Sequence, residues 1–350
     1  MSRLRILTAV FFVILGCNFL ASTPPADTPA SAPDAPAPPP DQPTVRPPDD
    51  TGPSDTGTGG LDVSPPAETV KLIFIHHSSG ENWLADWSGG LGQALMDNNY
   101  FVSDTNYGWG PEDSVLGGAI GDYTDIGDWW NWFLGPSSEA VMSAVYAESE
   151  PHAEYARMAE DPGGENEVVM FKSCFPNSAL NGNPDDGPAA GSNPLQGQDS
   201  GSENHTVANA KRIYMDLLTY FGEHTDKLFV VITAPPLIDG TPEQGVNARA
   251  FNTWLVNDWL ADYPDLNVAV FDFYNVLTTN GGDPNTNDLG SEDGNHHRII
   301  AGMIQYVTDQ GGDIAAYAEN GDSHPTPAGN QKATGEFVPL LNWTVRRWRM

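Results

Sequence analysis

The sequence is poor in cysteine, with only Cys17 and Cys174 among its 350 residues. Two cysteines cannot form the disulfide framework that stabilises many small exported domains. Cys17 also lies in the N-terminal leader, residues 1–21, and its lipidation or removal would leave Cys174 unpaired. We therefore expect the fold to depend on its hydrophobic core, which a chain of this size can form.

Basic side chains are also scarce. The chain has 15 Lys and Arg against 47 Asp and Glu, which gives a formal net charge of −32. Proteins that bind nucleic acid or an anionic membrane surface need a basic face, and the sequence shows none. The composition therefore argues against both partners, and an acidic surface of this kind favours solubility.

Aliphatic side chains are almost absent from residues 22–66, which instead contain many of the 30 prolines with Ala, Ser, Thr, Gly and Asp. Such a segment cannot bury enough apolar surface to fold. We predict that residues 22–66 form a disordered linker, and that residues 67–350 form the folded domain.

Residues 1–21 have the organisation of an export signal. Basic residues precede an apolar run from Ile6 to Leu15, which is too short to serve comfortably as a permanent membrane span. The run ends in Ile14-Leu15-Gly16-Cys17, which resembles a bacterial lipobox with Cys17 as the lipidated residue. The alternative is ordinary cleavage near Ala21. The sequence thus predicts a cell-envelope lipoprotein, or otherwise a secreted protein, whose membrane contact is limited to this anchor.

Five short apolar segments alternate with helical patterns in the remaining chain. This alternation predicts an α/β fold in which helices cover both faces of a parallel sheet. The predicted strands are 70–75, 100–104, 167–171, 228–232 and 268–273, and the predicted helices between and after them include 84–96, 137–158, 207–221 and 248–260.

Small polar residues follow the first predicted strand directly. The strand Val70–Ile75 leads into His76, His77, Ser78 and Ser79. Carboxyl ends of parallel strands face the ligand crevice, so Ser78 is placed to act as a nucleophile, with Ser79 as the neighbouring alternative. The competing interpretation is that these serines only cap the next helix.

A histidine precedes the last predicted helix, for which Thr326 is the expected N-cap and Pro327 the first residue. His324 can return to the crevice near Ser78, and Asp322 is close enough in sequence to orient its imidazole ring. A second polar turn follows the third strand, where backbone N–H groups or a side-chain amide could bind an oxyanion.

Aromatic residues are concentrated in residues 105–136, together with Gly and Asp and without a regular period. Long loops inside a compact domain are usually functional, and Trp and Asp side chains suit sugar rings. The alternative is that these rings pack the loop onto the core.

These motifs resemble those of the SGNH/GDSL hydrolases over residues 70–347. His76-His77-Ser78 stands where that family has Gly-Asp-Ser, and His324-Pro325-Thr326, continued by Ala328-Gly329, is similar to its catalytic histidine block. The resemblance implies a three-layer, flavodoxin-like α/β/α sandwich with strand order 2-1-3-4-5. It also implies a serine esterase in which Ser78 attacks, His324 accepts its proton and Asp322 supports the ring.

The sequence departs from the family pattern at several positions. Asp322 lies two residues before the histidine instead of three, where Gly321 stands, so either Asp322 turns to reach the ring or a different acid supports it. Pro176 replaces a glycine of the second block. Ala234-Pro235-Pro236 replaces the Gly-x-Asn-Asp of the third block. Asn177 is therefore the predicted substitute oxyanion donor, together with the backbone N–H groups of Ser78 and Ser173.

The mechanism that the resemblance implies needs no metal or other cofactor. Its expected substrate is a small-molecule or carbohydrate-linked ester; the oligomeric state is left open. Two alternatives remain, a non-catalytic carbohydrate-binding protein on the same scaffold and a hydrolytic metal site formed by His76, His77, Asp322 and His324. The acidic segment Asp283–Asp293 does not match a calcium loop, and we expect it to be a loop of solvated acids.

Overall fold

A five-stranded parallel sheet lies at the centre of the domain in the computed structural model, which describes residues 60–278, 294–308 and 322–350. Its strands are β1 (Val70–Ile75), β2 (Tyr100–Thr105), β3 (Val168–Lys172), β4 (Leu228–Ile232) and β5 (Val268–Phe271). Their spatial order is β2-β1-β3-β4-β5, and every neighbouring pair is parallel. The predicted sandwich and its strand order are therefore confirmed.

Eight α-helices flank or connect these strands in the described part of the chain. They are α1 (Ser78–Leu84), α2 (Leu91–Asp97), α3 (Trp129–Phe133), α4 (Ser138–Ala147), α5 (Val207–Glu223), α6 (Pro242–Asn257), α7 (Phe273–Val276) and α8 (Pro327–Trp348). Two short 3₁₀ helices, Ile120–Asp122 and Phe175–Ser178, lie in the connections after β2 and β3.

The sheet separates two hydrophobic cores because successive side chains of a strand point to opposite faces. Ile73 and Phe171 belong to the core shared with α3, α4, α5 and α6, whereas Phe74 and Met170 belong to the core shared with α1, α2 and α8. All four side chains are fully buried. Burial of each large apolar side chain contributes roughly 1.5–3 kcal/mol, so burial on both faces fixes the sheet register.

The helix after β1 begins earlier than its predicted start near residue 84. The backbone oxygen of His77 accepts hydrogen bonds from the N–H groups of Gly80 and Glu81, so α1 starts at Ser78 itself. Ala85 has an extended backbone and ends the helix, and the chain turns before α2. Ser78 is therefore held by the first turn of a helix immediately behind a buried strand.

The predicted helix 137–158 was too long, because α4 ends at Ala147. The Glu148 carboxylate accepts the backbone N–H groups of Ser149 and Glu150, and Asp104 accepts that of His152. These side-chain acceptors replace the carbonyl groups that a continued helix would have used.

A β-hairpin that the sequence did not predict precedes α8. Its strands β6 (His296–Ile300) and β7 (Met303–Val307) are antiparallel and joined by Ala301 and Gly302, both with positive φ. Two positive φ values are the geometry of a tight hairpin turn, but alanine there gives no sequence signal.

Several predicted segments lie outside the described residues: the leader 1–21 with Cys17, the linker up to residue 59, and Asp283–Asp293. No helix within the described ranges is long and apolar enough to cross a membrane.

The last residues of the predicted linker are docked onto the domain. Leu61 N donates to the Gly302 carbonyl at 2.9 Å, Asn342 Nδ2 donates to the Val63 carbonyl at 2.9 Å, and Arg346 Nη2 donates to the Pro65 carbonyl at 3.1 Å. Leu61, Val63 and Pro65, which composition assigned to the linker, are therefore hydrogen-bonded to the domain.

We predict that a chain beginning at residue 67 is less stable than one beginning at residue 60. Removal of residues 60–66 leaves the Asn342 amide and the Arg346 guanidinium without these hydrogen-bond acceptors, which costs about 1–3 kcal/mol of stability. Urea unfolding of the two chains measures the difference. Equal free energies of unfolding would show that residues 60–66 contribute nothing.

Candidate active site

Three predicted residues form a continuous hydrogen-bonded series at the carboxyl edge of the sheet. Ser78 Oγ lies 2.7 Å from His324 Nε2, and His324 Nδ1 lies 2.7 Å from Asp322 Oδ1. Ser78 is fixed by the start of α1. His324 is fixed by the start of α8, where Thr326 Oγ1 accepts the Gly329 N–H. The structure thus brings together side chains 246 positions apart in the sequence.

Asp322 orients the His324 ring even though the aspartate is half exposed. A hydrogen bond from His324 holds the pKa of the Asp322 carboxyl below its ordinary value, and the His324 backbone N–H also donates to this carboxylate. An ionised Asp322 accepts a hydrogen bond from the Nδ1–H group, which keeps the proton on Nδ1 and leaves Nε2 free to accept the Ser78 proton. The Phe175 ring packs edge-on against the imidazole, with centroids 5.0 Å apart.

His76 is a buried support of the serine turn. Its Nδ1 contacts the His77 carbonyl at 2.8 Å and its Nε2 contacts Asp104 Oδ2 at 2.9 Å, with both side chains inaccessible to solvent. A carbonyl and an ionised carboxylate can only accept, so we assign both ring nitrogens as donors and His76 as a cation paired with Asp104. This pair ties the turn after β1 to the neighbouring strand β2.

The carboxyl group of Asp104 remains ionised despite its burial. Burial alone would raise its pKa, but the hydrogen bond and charge of His76 outweigh this effect, helped by the His152 N–H and the Tyr155 hydroxyl. The pKa of Asp104 is therefore below its ordinary value.

His77 has the opposite charge state from His76. Its Nε2 lies 2.6 Å from the Gly121 carbonyl and its Nδ1 lies 3.0 Å from Thr124 Oγ1, so Nε2 donates and Nδ1 accepts. Burial lowers the pKa of His77, consistent with a neutral ring.

The ring nitrogens of both histidines are therefore engaged within the protein. No group of three or more potential metal-binding side chains occurs among the described residues. The geometry thus gives no support to the alternative metal site built on His76, His77, Asp322 and His324.

A second polar series lies behind the nucleophile. Lys172 Nζ donates to Ser79 Oγ at 2.5 Å and to the Ser173 carbonyl at 3.1 Å. Ser79 Oγ lies 3.1 Å from Cys174 Sγ, and that sulfur lies 3.7 Å from Ser78 Oγ. Ser79 is completely buried, so its hydroxyl faces Lys172 and Cys174 instead of the crevice, and Ser78 is the accessible serine.

Lys172 and Cys174 alter each other's ionisation. Burial lowers the pKa of Lys172 to about 8. Burial would raise the pKa of the Cys174 thiol, but the Lys172 charge and hydrogen bonds from Ser79 outweigh it and lower that pKa.

The predicted oxyanion role of the Asn177 side chain needs correction. Asn177 Nδ2 donates to Asp125 Oδ1 at 2.6 Å and to the Cys174 carbonyl at 3.3 Å, while Oδ1 accepts the Ile126 N–H. Both amide hydrogens are therefore occupied in holding the 125–126 segment against the turn after β3. Ser173 was predicted to contribute its backbone N–H, and this role stays a prediction. Its hydroxyl accepts the Trp129 indole N–H at 2.9 Å.

The aromatic segment 105–136 serves mainly to pack the core. Trp109, Trp129, Trp132 and Phe133 are buried in the core on the α3 side of the sheet. Tyr107 differs, because it is 61% exposed and its ring stacks on His77 with centroids 3.8 Å apart.

Tyr107 also lies at the nucleophile. Burial and the Cys174 charge raise the pKa of its phenol, while a hydrogen bond with Ser78 acts in the opposite direction. Tyr107 additionally lines an open cleft of about 430 Å³ whose other walls include Trp109, Glu148 and His152. Tyr107 therefore links the surroundings of Ser78 with this cleft.

Sequence reasoning did not assign roles to Lys172, Cys174, Asp104 or Tyr107. One signal was available: a lysine at the end of the apolar segment Val168–Phe171 is unusual for a central strand, and buried lysines require a specific partner.

We predict that Asp104→Asn destabilises the protein by about 3–5 kcal/mol at pH 7, because it leaves the buried His76 cation unpaired. Since the Asp104 pKa is lowered in the fold, its contribution is present above the ordinary aspartate pKa of about 3.9 and is lost as the pH falls below it. Urea unfolding from pH 7 to pH 3 should therefore show a shrinking difference between parent and variant.

Asp216→Asn is the matched control, since Asp216 pairs with Arg212 on α5, and the Arg212 side chain is 36% exposed and can be solvated without its partner. Its loss should cost at most about 1 kcal/mol. An equally small effect of Asp104→Asn would refute the buried ion pair.

No protein-family model and no curated protein matches the chain. Among solved structures, it is similar to an acetyl xylan esterase from the rumen bacterium Butyrivibrio proteoclasticus (15% identity, 81% of this chain, 66% of that chain, TM-score 0.31). It is also similar to a family two carbohydrate esterase from Clostridium thermocellum in complex with cellohexaose (14% identity, 83% and 70% coverage, TM-score 0.31). The chain thus spans slightly less than two thirds of the first of these structures. At such values function has to be inferred from the residues of this chain alone.

Proposed function

We propose that this protein is a serine hydrolase that cleaves carboxylic esters through an acyl-enzyme. The observation that supports this most directly is the series Ser78–His324–Asp322, with 2.7 Å at both of its junctions. This combination of nucleophile, base and orienting acid is the arrangement that acyl transfer requires. Its similarity to the SGNH/GDSL pattern is consistent with the same chemistry.

The reaction follows from the donors and acceptors of these residues. Ser78 Oγ attacks the ester carbonyl carbon while its proton passes to His324 Nε2, and Asp322 stabilises the imidazolium that forms. His324 then protonates the leaving alcohol as the bond to the carbonyl carbon breaks. Water, activated by the same Nε2, hydrolyses the acyl-serine. With the Asn177 amide engaged elsewhere, the backbone N–H groups of Ser78 and Ser173 remain the proposed oxyanion donors.

A carbohydrate-linked ester is the substrate class that the surroundings favour. The exposed Tyr107 ring beside Ser78 offers a flat apolar face, and the adjoining cleft of about 430 Å³ also contains the polar side chains Glu148 and His152. A combination of ring faces and hydrogen-bonding groups suits a sugar ring that carries an ester.

We further propose that the protein acts outside the cytoplasm. The basic residues and short apolar run of the leader, followed by Cys17 and a proline-rich linker, support export with a lipid anchor or secretion. Such a linker would give the domain reach from a membrane surface.

We predict that Ser78→Ala and His324→Ala each reduce hydrolysis of p-nitrophenyl acetate by roughly 10⁴–10⁶-fold. Asp322→Asn should reduce it by less than the roughly 10⁴-fold seen for a buried triad aspartate, because solvent can replace part of its effect. Steady-state kinetics with the full chain measure all three. A folded but inactive parent would favour the carbohydrate-binding alternative, and an active Ser78→Ala variant would exclude the proposed nucleophile.

We predict that the Tyr107 ring, and not its hydroxyl, contributes to sugar binding. Tyr107→Leu should raise KM for an acetylated xylo-oligosaccharide about 2–10-fold, corresponding to the loss of roughly 0.5–1.5 kcal/mol of ring contact. Tyr107→Phe keeps the ring and should leave KM unchanged. Equal KM values for the parent and Tyr107→Leu would contradict a sugar contact at this position.

A further inference from the structure

Lys172 carries a positive charge that the stability of the fold does not explain. It is completely buried at the end of β3, and within the described ranges it forms no ion pair with a carboxylate; the Cys174 charge is what favours its protonated form. Burial of an ammonium group without a carboxylate partner costs several kcal/mol. The other buried lysine on a neighbouring strand, Lys71, has such a partner in Asp161.

The hydrogen bonds around Lys172 have a defined direction. An ammonium group can only donate, so Ser79 Oγ accepts from Lys172 and directs its own proton to Cys174 Sγ. The thiol proton of Cys174 then faces Ser78 Oγ, 3.7 Å away. Ser78 in turn donates to His324 Nε2.

Each member of this series donates to the next, from a buried cation to the half-exposed carboxylate of Asp322. The nucleophile lies in the middle of the series. Hydrogen bonds arranged in one direction polarise one another, and a low local dielectric strengthens the effect.

We propose that Lys172 is a positioning residue of the hydrolase, which orients and polarises Ser78 through Ser79 and Cys174. This inference rests on the proposed function. Negative charge develops at the reacting centre when Ser78 attacks the ester, and a fixed positive charge behind the turn favours that charge without reorganisation. Burial of Lys172 thus lowers the stability of the fold, while the same charge stabilises the transition state of the reaction.

The charge of Lys172 should make kcat depend on pH. The charged form of Lys172 is present below its pKa of about 8 and is lost as the pH rises through it. Cys174 lies just after β3, close to Lys172, and its thiol also loses its proton as the pH rises. Burial and the charge of Lys172 lower the pKa of His77, which follows β1 and is neutral. Both titrations weaken the series at alkaline pH, so kcat should fall there.

The test compares the full chain with Lys172→Met, which has a similar length and no charge. We expect kcat for p-nitrophenyl acetate to fall roughly 10–100-fold, somewhat less than the 10²–10³-fold cost of losing a direct oxyanion donor. KM should change little, and the alkaline decrease near pH 8 should disappear or move to higher pH. The midpoint of urea unfolding should stay the same or rise, because a buried charge has been removed.

Lys71→Met is the matched control, since Lys71 is a buried lysine at the opposite end of the neighbouring strand β1. It should leave kcat and the pH profile unchanged. Cys174→Ala should reduce kcat as Lys172→Met does, whereas Cys174→Ser restores a hydroxyl donor and should recover most of that loss.

The outcomes separate this inference from the proposed function. An active, Ser78-dependent parent together with a Lys172→Met variant of unchanged kcat and pH profile would overturn the inference alone. The inference would also be overturned if Lys172→Met lost both stability and activity while Cys174→Ala kept full activity. A folded parent that cleaves no ester would overturn the proposed function and, with it, this inference.

Discussion

The parallel pairing of β1 with β3 determines the geometry of the whole site. Ile75 at the end of β1 is in register with Phe171 near the end of β3, so the two following turns lie side by side. One turn carries Ser78 and Ser79, and the other carries Lys172 and Cys174. Because side chains from both faces of these strands are buried in separate cores, a shift of register would expose apolar surface and separate the two turns. The packing energy of the sheet therefore also maintains the short distances around the nucleophile.

The two histidines before Ser78 show how one local sequence can have two electrostatic environments. His76 is bound to Asp104 of β2 and carries a positive charge, whereas His77 is bound by the 121–124 segment and is neutral. Both rings hold the backbone from which Ser78 projects. They stand where the SGNH/GDSL pattern has Gly-Asp, so the turn is held here by side chains anchored in the second strand and in the aromatic segment.

The sequence predicted those parts of the molecule that local patterns determine. The apolar segment Val168–Phe171 was recognisable as a buried strand, and Thr326-Pro327 marked the start of α8 and so the position of His324. The sequence could not predict where α4 ends. The chain after α4 is held by a hydrogen bond from the His152 N–H to Asp104, and these two residues are 48 positions apart. Asn177 was placed at the correct edge, but its amide is used by Asp125, a partner that only the fold reveals. Lys172 was missed for the same reason, since its importance comes from Ser79 on another strand's turn.

The proposed activity requires Ser78 to be the one side chain that is activated for attack. Its most direct test is treatment of the full chain with diethyl p-nitrophenyl phosphate, followed by peptide mass spectrometry. We predict a single diethylphosphoryl adduct on Ser78, with no reaction at the buried Ser79 hydroxyl, and no adduct in His324→Ala. Labelling of Ser79 or Cys174 in place of Ser78, or the absence of any adduct on a folded chain, would contradict the account.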